Sequence, residues 1–170
     1  MSILLGFPIL FGLLMLQVAV VDSIPLLHGT GDLILLALIA WAVQDRVPVI
    51  LDWALIGGVL VGVISHLPFA VPLLGYLAVT WMARTLSRQV WQTPLLAMTL
   101  ASYVGTIVYH VFIWMVLFIQ GTPLPVAESL NLVVLPAALL NLILALPVFS
   151  MVSDLAVMLY PEEAENEPTH

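Results

Sequence analysis

His28-Gly29-Thr30-Gly31-Asp32 leads into eleven unbroken apolar residues, Leu33–Val43 (LILLALIAWAV), which Gln44-Asp45-Arg46-Val47-Pro48 closes off. Asp32 is a favourable N-cap, so the apolar run reads as a helix. A membrane-crossing helix takes about 20 residues. This run approaches that length only by recruiting its flanks, and it admits two readings, a full crossing over 31–44 or a partial span. The choice fixes the topology because Arg46 follows. If the segment crosses, Arg46, Arg84 and Arg88 lie on one side of the membrane; if it does not, Arg46 moves to the other. These three arginines are the only Lys or Arg residues in the chain. Their shared side favours the crossing, and the positive-inside rule makes that side cytoplasmic.

Composition points to the same solvent. Hydrophobic residues make up 63% of the 170 and charged residues 8%, against roughly 45–50% and 25% in soluble proteins. A soluble core of this size cannot hide so much apolar surface. The net charge of −7 is less acidic than it looks, because four of the ten acids sit in the final stretch PEEAENEPTH, 161–170. That stretch reads as a disordered cytoplasmic tail. Three basic residues give no electrostatic grip on nucleic acid. The absence of cysteine excludes disulfides, thiolate metal sites and a cysteine nucleophile. The first residues, MSILLGFPILFGLLMLQVAVV, have a signal peptide's apolar length without its positive start, and are expected to be an uncleaved first span.

Punctuation along the chain separates six apolar segments, so the expected fold is an all-α integral membrane protein with six transmembrane helices. The expected spans are 3–21, 31–44, 49–65, 70–84, 94–119 and 130–159, in one domain over 1–160. Thr93-Pro94 opens the fifth as N-cap and first helical residue. Pro136 and Pro147 are expected to kink the sixth. Both termini fall on the arginine side. The opposite side carries Asp22, His28, Asp32, His66 and Glu128.

Small residues recur at spacing four, Gly58 with Gly62 in the third segment and Ala97, Ala101 and Gly105 in the fifth. Such faces let helix backbones approach closely. They read either as packing within the chain or as a docking face for a partner's transmembrane helix. Tyr103, Thr106, His110 and Trp114 share helical spacing, which reads as polar glue between helices or as one wall of a ligand pocket. Gln17, His110 and Asn141 are the buried polar residues; each amide at that depth must hydrogen-bond something. Arg46, Arg84, Arg88 and Trp91 form the expected cytoplasmic interface. No HExxH, GxSxG or phosphate-cradling glycine loop occurs, and no catalytic residue, metal ligand or cofactor site is expected.

In order along the chain, LLMLQ with Gln17, Pro25 after a polar turn, Gly31-Asp32-Leu33, the glycine pattern ALIGGVLVG, Trp91-Gln92 and a last helix LPAALLNLILALPVF with Asn141 and Pro147 together resemble the MreD family of rod shape-determining membrane proteins. The chain departs from that family at Gly62, where an aspartate is common, and in its acidic rather than basic end. The resemblance implies a fold similar to the substrate-binding subunits of energy-coupling-factor transporters. It also implies a non-enzymatic scaffold of cell elongation in the bacterial cytoplasmic membrane. The partners it implies are MreC, through its transmembrane helix, and, in a larger complex, RodA, the elongation penicillin-binding transpeptidase and MreB. The competing expectation is a vitamin-type transporter subunit with a pocket at Tyr103, His110 and Trp114.

Overall fold

The computed structural model describes residues 2–19, 29–89, 93–122 and 125–160. Its regular elements are all helical: α1 (Ser2–Ala19), α2 (Leu33–Val43), α3 (Ile50–Ile64), α4 (Ala70–Gln89), α5 (Pro94–Ile119) and α6 (Val126–Leu159). Two of them, α5 and α6, are long and apolar enough to cross a membrane, where six spans were expected. α1, α2 and α3 are apolar but shorter. At 1.5 Å per residue, the 11 residues of α2 rise about 16 Å, half the roughly 30 Å of a hydrocarbon core. α4 runs five residues past the expected end at 84, because Thr85–Gln89 continue the helix into polar sequence.

α2 is the axis of the fold. It packs against each of the other five helices, and all of its residues are buried. Around it α1, α3, α4, α5 and α6 make a ring in which α1 packs on α3, α3 on α4, α4 on α5 and α5 on α6. The absence of a polar face on LILLALIAWAV follows from this position, since a helix covered on every side gains nothing from amphipathicity. Trp41 and Trp53 pack edge to face at its C-terminal end, with ring centroids 4.6 Å apart.

α6 carries a π-helical turn at Leu130–Val134, directly before Pro136. A proline ring collides with the carbonyl four residues back, and the wider turn relieves that clash. Pro147 lies inside helix that continues unbroken, so of the two expected kinks only the region of Pro136 departs from α geometry. Residue 29 crosses α6 at this place. A Cβ on Gly29 would lie 2.5 Å from Ala137 N and 2.6 Å from Val133 O, both backbone atoms, so only glycine allows the approach.

Candidate functional site

The first turn of any helix leaves its amide hydrogens without intrahelical acceptors. In a buried helix such as α2 each orphan costs about 1–3 kcal/mol unless another group accepts it. Three side chains from three helices or their flanks meet this need. Gln17 Oε1, from α1, accepts from Leu33 N at 2.9 Å and Ile34 N at 3.3 Å. Asp32 Oδ1 accepts from Leu35 N at 2.9 Å, the N-cap bond expected from sequence. Asn141 Oδ1, from α6, accepts from Asp32 N at 2.8 Å. The cluster extends outward from there. Tyr76 of α4 donates to Asp32 Oδ2 at 2.6 Å. Asn141 Nδ2 donates to Thr106 Oγ1 of α5 at 2.9 Å, and Thr106 donates to Ser102 O. His110 Nδ1 lies 2.8 Å from Thr106 O, and the rings of Tyr76 and Tyr109 pack with centroids 5.1 Å apart. Beside this network is a cavity of about 120 Å³, with Gln17, Asp32, Thr106, Tyr109, His110 and Asn141 on its wall.

The opposite end of α2 is closed by a cation. Arg84, 11% exposed, donates to Gln44 O at 2.9 Å and to Val47 O. A carboxylate at the N-terminus and a guanidinium at the C-terminus both complement the helix dipole. The Arg84–Asp45 ion pair, at 3.6 Å with Asp45 82% exposed, adds little in water. Because Gln44 and Val47 bracket Arg46, Arg84 and Arg46 lie at the same end of the bundle.

Of the residues singled out by sequence, Gln17, His110 and Asn141 converge on one site. The stripe from Tyr103 to Trp114 divides: Thr106 and His110 face the cavity, Tyr103 is 41% exposed, and Trp114 is not part of the cavity wall. A pocket built from Tyr103, His110 and Trp114 is therefore corrected to one built around Asp32, Thr106 and His110. Tyr76 and Tyr109 were missed. Their signal was a tyrosine hydroxyl inside an otherwise apolar segment, which must find a partner when buried.

The small-residue faces are filled from within the chain. A Cβ on Gly58 would lie 2.7 Å from Leu73 Cα, one on Gly62 2.8 Å from the Phe69 ring, and one on Gly105 2.8 Å from Val79 Cγ1. Ala97 and Ala101 are buried as well. α4, α2 and the α3–α4 turn thus occupy the faces at Gly58, Gly62 and Gly105, which is the within-chain packing that was one of their two readings. Arg84 is likewise a structural clamp rather than an open basic handhold. Arg88 is exposed in the last turn of α4 and Arg46 is half-buried. Trp91 and the acidic tail 161–170 lie outside the described residues.

An open face occurs elsewhere. Between α1 and the C-terminal half of α6 runs an apolar groove of about 450 Å³, with Gly12 and Leu16 on one side and Met151, Leu155 and Met158 on the other. Among the described residues, Asp154 is the one charged residue on its wall. A Cβ on Gly12 would meet nothing within 4 Å. Among the described residues no group of three or more His, Asp or Glu is placed to hold a metal ion. No family model, curated protein or solved structure matches the chain.

Proposed function

We propose that this chain is a multi-pass scaffold of the bacterial cytoplasmic membrane that docks the single transmembrane helix of a bitopic partner, MreC, within the cell-elongation machinery. The reading includes six crossings and cytoplasmic termini. The placement of Arg46 and Arg84 at the same end of the bundle supports that topology, because both arginines then share the positive side. Here α2 crosses as a short helix extended by its flanks, and its neighbours rather than lipid surround it.

The groove between α1 and α6 carries the docking reading. It is apolar, open, and bordered by a glycine that lets a second backbone come close. Asp154 lies toward the proposed cytoplasmic end, where single-span proteins carry Lys or Arg. The same reading explains the size of the polar cavity. At about 120 Å³ it falls below the roughly 300–1,000 Å³ of small-molecule sites, which favours a scaffold over a vitamin-type transporter subunit.

The test is co-purification with co-expressed MreC. Gly12→Leu adds bulk to the groove at a position where a Cβ has open space. It is expected to weaken association about ten-fold or more, since overpacking costs about 1–3 kcal/mol. Asp154→Lys is expected to weaken it through like charge at the cytoplasmic flank. Undiminished recovery of MreC with both variants, each folded, would overturn the groove assignment. A stoichiometric vitamin-sized adduct in native mass spectrometry would favour the transporter reading instead.

A further inference from the structure

The last two turns of α4 carry two guanidinium groups in a stretch of chain without a carboxylate. No Asp or Glu occurs between Asp52 and Glu128, so α4 and α5 contribute Arg84 and Arg88 and no acid. The two arginines are four residues apart on one helix, where like charges repel. Arg84 has its compensation from the α2–α3 loop, in the carbonyls of Gln44 and Val47 and in Asp45 at 3.6 Å. Arg88 is exposed, and among the described residues no carboxylate pairs with it.

The same face of α4 carries Trp81, which is 64% exposed. Seven residues make almost two full turns, so Trp81 and Arg88 point the same way, about 10 Å apart along the axis. Thr85 lies between them. It is small and exposed, and its hydroxyl donates back to Trp81 O at 3.0 Å, which leaves a shallow step flanked by two long side chains. An exposed indole sits favourably at the boundary between acyl chains and headgroups. An arginine two turns nearer the water reaches the phosphates, and its planar fork matches two phosphate oxygens at once. We propose that this face of α4 binds the headgroup of an anionic phospholipid, with Arg88 on its phosphate and Trp81 against its glycerol and upper acyl chain. Charge complementarity selects an anionic over a zwitterionic lipid, because a zwitterion's own ammonium offsets its phosphate. The proposal rests on the arginine side of the topology proposed above, where the leaflet is anionic, and not on MreC.

The experiment places the full-length protein in bilayer discs of equal phosphatidylglycerol and phosphatidylcholine and counts the lipids that stay bound in native mass spectrometry. Retained phosphatidylglycerol is expected to exceed phosphatidylcholine about five-fold, the factor that one arginine contributes near an anionic surface. Arg88→Gln is expected to bring the two lipids close to parity, and Arg88→Lys, which keeps the charge, to retain most of the preference. Because Arg88 is exposed, the glutamine variant is expected to melt with the unmodified protein, which separates a lost lipid contact from a lost fold. No preference in the unmodified protein, or a preference that survives Arg88→Gln, would each overturn the proposal. A preference that appears only when Glu162, Glu163, Glu165 and Glu167 are all changed to glutamine would also overturn it, assigning Arg88 to the chain's own acidic tail instead. Recovery of MreC through the groove is a separate readout, and thiol labelling at residue 93 reports the side of the membrane, so failure of either reading is distinguishable from failure of this one.

Discussion

Replacing Asn141 with leucine removes the amide that ties α6 to the N-terminus of α2 and to α5. Two hydrogen bonds go, one from Asp32 N at 2.8 Å and one to Thr106 Oγ1 at 2.9 Å. Interhelical side-chain bonds in membrane proteins average about 0.6 kcal/mol, so the pair contributes about 1.2 kcal/mol. The Asp32 amide hydrogen then loses its Asn141 acceptor at a buried helix end, which adds about 1–3 kcal/mol. The sum is about 3 kcal/mol, and leucine, with the same number and branching of side-chain heavy atoms, leaves no cavity. For a chain of this size that corresponds to a fall in Tm of roughly 6–12 °C. The assay is thermal unfolding in mild detergent, with Asn131→Leu as the control. Asn131 is exposed and its amide donates to Ala127 O one turn back, so the control is expected to stay within about 0.5 kcal/mol of the unmodified protein. Equal melting of the two variants, or a loss below about 1 kcal/mol for Asn141→Leu, would refute the claim that α2 depends on borrowed acceptors.

Two other outcomes follow from the geometry. Gly58→Ala, whose Cβ would press on Leu73 Cα at 2.7 Å, is expected to lower stability by about 1–3 kcal/mol, whereas Gly12→Ala, with open space around it, is expected to raise it by up to about 1 kcal/mol through helix propensity; parallel melting curves check the opposite signs. For the topology, Asp45→Cys and Thr93→Cys are expected to label with a membrane-impermeant thiol reagent only from the cytoplasmic side, and Thr122→Cys only from the outside; labelling of residues 45 and 122 from the same side would refute the six-crossing path.

What the sequence revealed was chiefly local. Asp32, the apolar run after it and the stop at Gln44 marked α2 within a residue, because capping and apolar continuity act over a few positions. Asn141 was legible as a buried polar group, and Gln17 and His110, half-buried in the structure, as polar groups in need of partners, for the same reason. Their convergence was not, since Asn141 and Asp32 are 109 residues apart and meet only through the order of helices around the ring. The uniform apolarity of α2 could not distinguish lipid from protein as its surroundings, and its central place had to come from the fold. Gly58, Gly62 and Gly105 announced close approach without naming the neighbour. Arg84 was read as a marker of the positive side; that it closes a helix end through two carbonyls depends on a loop 37 to 40 residues upstream.

The encasement of α2 also bears on how the protein is made. Its 11 apolar residues are fewer than a lone segment needs to settle across a bilayer, and its stabilising partners arrive from the ribosome late. Gln17 precedes it, but Tyr76, Arg84 and Asn141 follow, the last of them 98 positions beyond the end of the helix at Val43. Until α6 emerges, the Asn141 acceptor for the Asp32 amide does not exist. Biogenesis therefore has a vulnerable interval in which the future axis of the bundle waits, incompletely supported, for its last wall. Nascent chains arrested before residue 141 are expected to be substrates for membrane-protein quality control, and chains released beyond it to escape.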